Sequence, residues 1–305
     1  MWHHSYHQLK PPTHSQHLLM DTPTEQFSTW IGNTECHSDI LTLAPLVAMA
    51  ATLDKTTLSI AEGFELPPLW HWLYFLNPAP QSALAADGHA RKGDFLPPIQ
   101  LPRRMWAGSR FEFHQALHAG EAVERTSTIK SINMKQGRSG QLAFVCVAHE
   151  ITGENGLALS EEYELVFREQ AAANATVATA EPAPVQADFR NTITPDPVFL
   201  FRYSALTFNG HRIHYDRDYV TNTEGYPGLI VHGPLLATLL VDTLLQQIGS
   251  NRVTKFKFRA LHPVFDRNDF QVCGSLPDAE GNCKLWIQDH TGALCMDASA
   301  TVVIV

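Results

Sequence analysis

Apolar residues fill nearly every side of one helical segment of the chain, residues 234–248. A helix that is hydrophobic all round is typical of the buried core of a protein. Residues 207–216, which lie upstream, are instead too polar for a core element. The segment between them predicts a turning loop, since it contains Gly225, Pro227, Gly228, Gly233 and Pro234. A polar loop therefore leads to the N-terminus of a buried helix, where unpaired N–H groups favour negative charge.

The N-terminal half of the chain predicts helices first and a run of strands afterwards. Residues 23–34 and 41–53 have apolar positions at helical spacing, whereas the aromatic segment 66–76 favours a buried strand. Residues 79–102 are rich in Ala, Gly and Pro and predict a long loop of the kind that is usually functional or mobile. Alternating strands separated by Gly-containing turns follow at residues 105–116, 122–134, 141–152 and 157–168.

The C-terminal half repeats this order of elements. Residues 171–188, rich in Ala, Thr and Pro, have no packing pattern and predict a linker. A strand at residues 199–207, the polar loop and the apolar helix come next, and then strands at 253–261, 269–276, 284–289 and 293–305. The predicted fold class is α+β. Two antiparallel sheets each wrap around a central helix and pair edge to edge into one larger sheet.

These patterns also define domain bounds. Residues 1–22 are predicted to be a disordered, His-rich tail, residues 23–170 a first domain, 171–190 the linker and 191–305 a second domain. Because five histidines fall in the first seventeen residues, metal binding by the tail is the alternative interpretation of that segment.

Composition and charge narrow the classes of function. With 44% hydrophobic and 17% charged residues the chain is typical of a soluble globular protein, and no apolar run approaches the roughly 18 residues of a membrane span. The net charge of −9 argues against nucleic acid as a partner. Five dispersed cysteines without a CxxC pair, and a start unlike a signal peptide, predict reduced thiols and a cytoplasmic location.

His211 and His214 are the main candidates for chemistry in the polar loop. Together with His232 they could bind a metal ion, but no acidic or thiol ligand lies at the usual spacing. They could also be hydrogen-bonded loop residues without a chemical role. The third interpretation is acid–base catalysis, in which an imidazole near its working pKa moves a proton.

The segments TFNGHRIHYD and GLIVHGPLLATLL resemble the active-site segment of the MaoC-like hydratase/dehydratase family of hot-dog folds. The pattern of that family reads small residue, Gly, Asp, any, Asn, Pro, apolar, His, any, Asp. His214 and Asp216 match its His and its trailing Asp, and His232 with Gly233 matches the His-Gly at the start of the central helix. Four positions depart from the pattern, with Phe208 for Gly, Asn209 for the catalytic Asp, His211 for Asn and Arg212 for Pro.

The Asn–His version of the motif is similar to one branch of the family, the type 2 hydroxyacyl-thioester dehydratases and the mesaconyl- and itaconyl-CoA hydratases. The segments WIGNTE at residues 30–35 and LPRRMWAGSRFEFHQAL at residues 101–117 resemble the degenerate first domain of that branch. The resemblance covers most of the chain from about residue 27. It implies a double hot-dog fold whose C-terminal domain is the catalytic one.

The resemblance also implies roles for the residues of the polar loop and the helix start. His214 would act as base and acid, and Asn209 would hold the water or the substrate hydroxyl, since an amide cannot take a proton. The backbone N–H of Gly233 would stabilise the thioester oxygen, and a simple turn role for this glycine stays open. A second titratable group, if one acts, would be Asp216 or His211.

Four further residues are candidate contacts of the substrate: Arg104, Arg202, Tyr226 and His232. Arg104, in the PRRMW segment, would pair with a carboxylate of the substrate. The alternative interpretation of Arg104 is an ordinary arginine at a strand edge, and the same choice applies to Arg202 and Tyr226.

The implied activity is that of a hydro-lyase that adds water to a short enoyl-CoA thioester, converting mesaconyl-C4-CoA or itaconyl-CoA to citramalyl-CoA. Dehydration of a 3-hydroxyacyl thioester in fatty acid synthesis, on coenzyme A or on acyl carrier protein, is the alternative. A non-catalytic acyl-thioester binding protein and a thioesterase are alternatives of other classes. No metal or redox cofactor is expected, and coenzyme A enters as part of the substrate. Because the sequence has no Gly-rich phosphate loop of the Rossmann or Walker type, a groove and the sheet edge would hold the pantetheine arm. The oligomeric state is open, and a homo-oligomer is compatible with the fold.

Overall fold

A computed structural model of the chain describes residues 25–137, 140–169 and 180–303. The predicted tail and residues 171–179 of the predicted linker lie outside the described residues, and the predicted domain bounds stay predictions. The strands in chain order are β1 (Thr34–Ile40), β2 (Arg103–Phe113), β3 (Ala122–Gly137), β4 (Gly140–Gly153), β5 (Gly156–Arg168), β6 (Phe189–Ile193), β7 (Arg252–Ala260), β8 (Phe270–Gly274), β9 (Asn282–Gln288) and β10 (Leu294–Val303).

These strands form one antiparallel sheet in the order β1-β3-β4-β5-β2-β7-β10-β9-β8-β6. The N-terminal half of the chain supplies one side of the sheet and the C-terminal half supplies the other, and they meet where β2 pairs with β7. At this junction Phe111 lies opposite Phe256, and their rings stack with centroids 5.9 Å apart. The predicted edge-to-edge pairing of two antiparallel sheets is confirmed, and it removes one exposed edge from each half.

The apolar segment at residues 234–248 forms the predicted helix, α3 (Gly233–Ile248). Its leucines 235, 240 and 244 are fully buried, and the helix packs against β7, β8 and β9. Each such leucine contributes on the order of 2 kcal/mol through burial. The helix stops at Gly249, whose φ of 61° is in the left-handed region that glycine adopts without steric cost. Within the described part of the chain, no helix has the length and apolar character needed to cross a membrane.

The strand predicted at residues 199–207 is wrong, because this segment belongs to a helix, α2 (Pro197–Leu206). The start of the helix carries a local signal. The carboxylate of Asp196 accepts hydrogen bonds from the N–H groups two and three residues further on, at 2.7 and 2.9 Å, and Pro197 occupies the first helical position. Such a cap is worth about 1 kcal/mol, enough to outweigh a weak strand preference. The C-terminus of α2 leads directly into the polar loop.

The N-terminal half contains further differences from the predictions. A helix forms where one was predicted, as α1 (Leu43–Thr52), but residues 66–76 contain a single 3-10 turn, Trp70–Leu73, in place of a strand. Leu69 and Phe75 flank this turn with positive φ angles of 72° and 54°, which interrupt an extended backbone. The two edge strands β1 and β6 were not predicted, because their sequences TECHSDI and FRNTI are short and largely polar.

Candidate active site

A cleft beside the N-terminus of α3 is lined by both halves of the chain. Its walls come from the long loop at residues 79–102, from β2, from the polar loop at 207–216 and from the segment that precedes α3. Three residues predicted to act from the polar loop line this cleft: Asn209, His211 and His214.

His214 is buried, and one of its ring nitrogens has a fixed partner. Nδ1 lies 2.7 Å from the carbonyl oxygen of Ile230, so this nitrogen carries the proton and donates it to the carbonyl. The lone pair is therefore on Nε2. Burial lowers the pKa of His214 to about 4, so the imidazole is neutral at physiological pH. A neutral imidazole with a free lone pair is suited to accept a proton from water.

His232 supports His214 from behind and does not line the cleft. The two rings stack with centroids 3.8 Å apart, and His232 is completely buried, with Nε2 2.8 Å from the hydroxyl of Ser204. Burial holds the pKa of His232 well below its usual value. The structure therefore does not bring His232 to the cleft surface, and its predicted contact with the substrate stays a prediction.

Asn209 is held by the backbone of its own loop. Its side-chain oxygen accepts a hydrogen bond of 3.0 Å from the N–H of His211, which leaves the amide nitrogen without a hydrogen bond in the described residues. Phe208, at the position of the family's glycine, has a φ of 48° and so adopts the left-handed conformation that glycine favours. Asn209 can thus donate a hydrogen bond into the cleft but cannot act as a base.

Asp216, predicted as one candidate for a second titratable group, is engaged elsewhere. Its carboxylate accepts hydrogen bonds from the guanidinium of Arg212 at 2.7 and 2.9 Å and from the N–H of Tyr219 at 3.0 Å. These hydrogen bonds lower the pKa of Asp216, and the residue does not line the cleft. The structure therefore does not place this carboxylate next to His214.

Arg212, which stands where the family has Pro, fastens the long loop to the polar loop. Its N–H donates to the carbonyl of Asp87 at 2.9 Å, and its guanidinium donates to the carbonyl of Ala86 at 3.1 Å. The backbones also approach closely at Gly88 and Gly210, where a Cβ on Gly88 would overlap the Gly210 carbonyl. Residues 86–88 thus have a fixed position relative to the motif.

The long loop adds two site residues that the sequence analysis missed, Asp87 and His89. Nδ1 of His89 lies 2.9 Å from the Asp87 carboxylate, and the His89 and His211 rings are 4.2 Å apart. His211 is in turn 5.4 Å from His214, so these histidines form a continuous row. The unusual length of the loop was the available signal in the sequence. Asp87, His89 and His211 have ligand atoms within 4.8 Å of one another and could hold a metal ion, a different set from the one considered above.

Gly233 lines the cleft at the first position of α3. A Cβ built on this glycine would have no atom within 4 Å, and its φ is not in the left-handed region. Neither a tight turn nor close packing therefore requires glycine here. Its absent side chain instead leaves the first N–H groups of the helix open to the cleft.

The three remaining predicted contacts differ in position. Arg104 is half-buried in the cleft wall and forms no ion pair or hydrogen bond within the described residues. Tyr226 also lines the cleft, and its hydroxyl accepts a hydrogen bond of 3.4 Å from Arg168. Arg202 is exposed on α2 and does not line the cleft, so the structure does not bring it together with the other candidates. Its predicted contact with the substrate stays a prediction.

The paired sheets, the buried helix and the histidine in the cleft define an enzyme of the hydratase/dehydratase class with a double hot-dog fold. A MaoC-like dehydratase from Phytophthora capsici matches the structure with a TM-score of 0.65 at 16% identity, over 92% of this chain and 99% of that one. A Mycobacterium tuberculosis protein described as a double hot-dog fold matches with a TM-score of 0.56 at 13% identity, over 90% and 96% of the two chains.

Sequence comparison identifies the family. The family model for hydroxyacyl-thioester dehydratase type 2 matches residues 69–266. The mesaconyl-C(4)-CoA hydratase of Chloroflexus aurantiacus is 47% identical over 270 residues, which cover 88% of this chain and 95% of that protein. The chain belongs to the hydroxyacyl-thioester dehydratase type 2 family.

Proposed function

We propose that this enzyme adds water to mesaconyl-C4-CoA and forms citramalyl-CoA. The 47% identity to a mesaconyl-C(4)-CoA hydratase supports this substrate. The structural observation that carries the proposal is the guanidinium of Arg104, which is half-buried in the cleft wall and forms no ion pair or hydrogen bond in the described residues, while the charge of Asp87 acts on it from a longer distance. A cation that loses part of its hydration without a partner at ion-pair distance is costly, so a site that keeps one is suited to bind an anion.

The position of Arg104 fits the chemistry of this substrate. The β-carbon of mesaconyl-C4-CoA carries a carboxylate, so the carboxylate lies next to the carbon that water attacks. Burial and then the charge of Arg104 lower the pKa of both His89 and Lys92, which shows that this charge acts at the row of histidines. A bidentate pair of Arg104 with the substrate carboxylate would orient the β-carbon towards His214.

Part of the cleft lining from the N-terminal half is polar, and it includes Glu161, His149 and Tyr163. Glu161 is buried and accepts hydrogen bonds from Trp72 at 3.3 Å and from Ser109 at 3.1 Å. A hydrocarbon that covered these groups would desolvate them, so this part of the lining favours a polar acyl group.

His214, Asn209 and Gly233 perform the addition in this proposal. Nε2 of His214 accepts a proton from water as the oxygen bonds to the β-carbon, while the amide of Asn209 holds that oxygen. The electron pair of the double bond moves onto the thioester oxygen, which the N–H of Gly233 stabilises. The α-carbon then receives a proton from the protonated His214 or from a water that His214 protonates, which returns His214 to its neutral state as the carbonyl is restored. No redox change occurs, and coenzyme A enters as part of the substrate.

Hydration rates with mesaconyl-C4-CoA, itaconyl-CoA and crotonyl-CoA test the substrate. We expect kcat/KM for mesaconyl-C4-CoA to exceed that for crotonyl-CoA, which lacks the carboxylate, by about 10²-fold or more, the size of a charged hydrogen-bonded contact. Arg104→Met should remove most of this preference by lowering only the mesaconyl-C4-CoA value. Crotonyl-CoA hydrated at least as fast by the unmodified enzyme would disprove the proposal.

The description of the family favours a second candidate, the dehydration of a 3-hydroxyacyl thioester. The same assay separates the two functions, since a straight-chain 3-hydroxyacyl substrate has no carboxylate for Arg104. A kcat/KM for 3-hydroxybutyryl-CoA above that for citramalyl-CoA in the dehydration direction would favour this second function.

A further inference from the structure

The helix α2 ends in a turn that suits glycine, but the chain has phenylalanine there. The N–H of Phe208 donates to the carbonyl of Ala205 at 3.4 Å. The N–H of Asn209 donates to the carbonyl of Ser204 at 2.8 Å. This pair of hydrogen bonds ends a helix by turning one residue into the left-handed region, and the φ of Phe208 is 48°. Glycine is the usual residue at this position, because a side chain strains the left-handed backbone.

The side chain of Phe208 carries a second cost, because its ring is in contact with water. It is 59% exposed and belongs to neither apolar core of the described residues. Folding therefore accounts for the left-handed backbone at this position but not for an aromatic side chain on it. Strained backbone and exposed apolar surface are both features of ligand-binding sites, where a bound ligand covers the surface. The ring lines the cleft, one residue before Asn209.

Two residues of α2 extend this apolar surface. Phe201 is 59% exposed, and it lines the cleft together with Ala205, which follows it by one helical turn on the same side of α2. Phe208 comes directly after the helix. At a rise of about 1.5 Å per residue, the surface from Phe201 to Phe208 is roughly 10 Å long. We call these three residues the apolar rim. It leads from Asn209 to the exposed side of α2.

We propose that the apolar rim binds the pantetheine arm of the coenzyme A thioester, and that Phe208 is its main contact. The inference rests on the proposed function, in which the reacting carbons lie beside Asn209. From the sulfur, the arm runs outwards as methylene groups, two amides and a carbon that carries two methyl groups, so much of its surface is apolar. Covering the exposed rings with this surface is favourable, because both lose contact with water.

The position of the rim favours the arm over the adenine of coenzyme A. Adenine follows the arm and the pyrophosphate, so it lies far from the reacting carbons. The rim begins one residue from Asn209, where the first part of the carrier must pass. It is one wall of the groove that the sequence led us to expect for this arm.

Three thioesters of the same acyl group test this contact. Mesaconyl-C4-CoA has the complete carrier, the pantetheine thioester lacks the nucleotide, and the N-acetylcysteamine thioester also lacks the outer part of the arm. We expect Phe208→Gly to raise KM about 10-fold for the first two, the effect of losing part of a buried aromatic contact. KM for the third should stay within about twofold. A contact made equally in the ground state and the transition state raises KM and leaves kcat unchanged.

The same variant separates binding from folding. Glycine adopts a φ of 48° without strain, so Phe208→Gly should unfold at the same temperature as the unmodified protein or at a higher one. Phe201→Ala should raise KM for the same two substrates by a smaller factor, because it lies farther from Asn209. Val198→Ala is the matched control and should change neither KM nor kcat, since Val198 is 65% exposed on α2 and does not line the cleft.

The outcomes distinguish the inference from the proposed function. Intact hydration of mesaconyl-C4-CoA with an unchanged KM in Phe208→Gly would overturn the inference alone. An increase in KM confined to the coenzyme A thioester would place the nucleotide on the ring and would also overturn it. An equal loss with all three thioesters would mean that Phe208 acts by positioning Asn209, against the inference. Failure of the unmodified enzyme to hydrate mesaconyl-C4-CoA would overturn the proposed function and the inference with it.

Discussion

The histidine motif depends on two neighbours that keep His214 neutral and oriented. The carbonyl of Ile230 fixes the proton on Nδ1, and the stacked ring of His232, 3.8 Å away, confines the imidazole plane. His232 is neutral because it is fully buried, and its bond to Ser204 satisfies one nitrogen. A cationic His232 would repel the imidazolium that would form on His214 in the proposed reaction. The His-Gly pair of the motif thus supports the proposed base with its histidine, and its glycine is the proposed donor of an N–H to the thioester oxygen.

Gly233→Ala tests whether the open N-terminus of α3 is used. The added methyl meets no atom within 4 Å, and alanine is the better helix former by about 1 kcal/mol, so the free energy of unfolding should not fall. The same methyl would project where the thioester oxygen must approach, and kcat should fall by about 10²-fold, the usual loss for one oxyanion donor. Urea unfolding and steady-state kinetics measure the two effects.

Gly249→Ala, at the other end of the same helix, is the matched control. Its φ of 61° disfavours a side chain, so this variant should lose about 1 kcal/mol of stability and keep its kcat. Full activity in Gly233→Ala would show that the reaction does not use this helix terminus.

The long loop at residues 79–102 and the polar loop line the cleft together. The long loop contributes His89 to the lining, whereas the motif contributes Asn209 and His214. Arg212 joins them through the carbonyls of residues 86 and 87. The Pro-to-Arg departure from the family pattern therefore has a structural reason: an arginine can hold a second loop, and proline cannot donate these hydrogen bonds.

Arg212→Ala should loosen the long loop, because it removes the guanidinium bond to Ala86 and keeps only the backbone N–H bond to Asp87. We expect kcat to fall by about 10²-fold, because a shift of about 1 Å in the groups that line the cleft costs this much. Stability should change little, since the ion pair of Arg212 with Asp216 is partly exposed. Kinetics and hydrogen exchange of residues 83–91 measure the effects. Arg110→Ala, which breaks an exposed ion pair with Glu162 on the same sheet, should change neither. Unchanged loop exchange in Arg212→Ala would contradict this clamp.

At the scale of the whole molecule, the sequence predicted the parts that repeat a simple period. Apolar and polar residues alternate along β2 to β5, and this alternation predicts strands that bury one face. The apolar surface of α3 predicts a helix that is buried on all sides. Local pattern could not show that residues 66–76 turn or that the long loop reaches the motif, because contacts distant in sequence decide both. His89 was missed for this reason, since its partners include His211, more than one hundred positions away.

Buried neutral histidines occur in both halves of the molecule, and they make its stability depend on pH. Burial lowers the pKa of His149 and of His214 to about 4, against about 6.5 in an unfolded chain. Since the folded pKa is the lower one, the unfolded state binds protons first as the pH falls. The stabilisation is fully present above pH ~6.5 and is lost between that pH and about 4, at up to 1.4 kcal/mol per pH unit for each histidine.

The variant His149→Gln tests this dependence in the N-terminal half, outside the His214 motif. Glutamine does not titrate and can keep the hydrogen bond to Ser127, which is 2.9 Å long in the structure. Urea unfolding at pH 7 and at pH 5 measures how much unfolding free energy each protein loses between these pH values. We expect this loss to be about 2 kcal/mol smaller in His149→Gln than in the unmodified protein. The exposed His290→Gln should lose as much as the unmodified protein. An equal loss in all three proteins would mean that His149 is accessible to protons in the folded state, and that burial does not keep the imidazoles of this fold neutral.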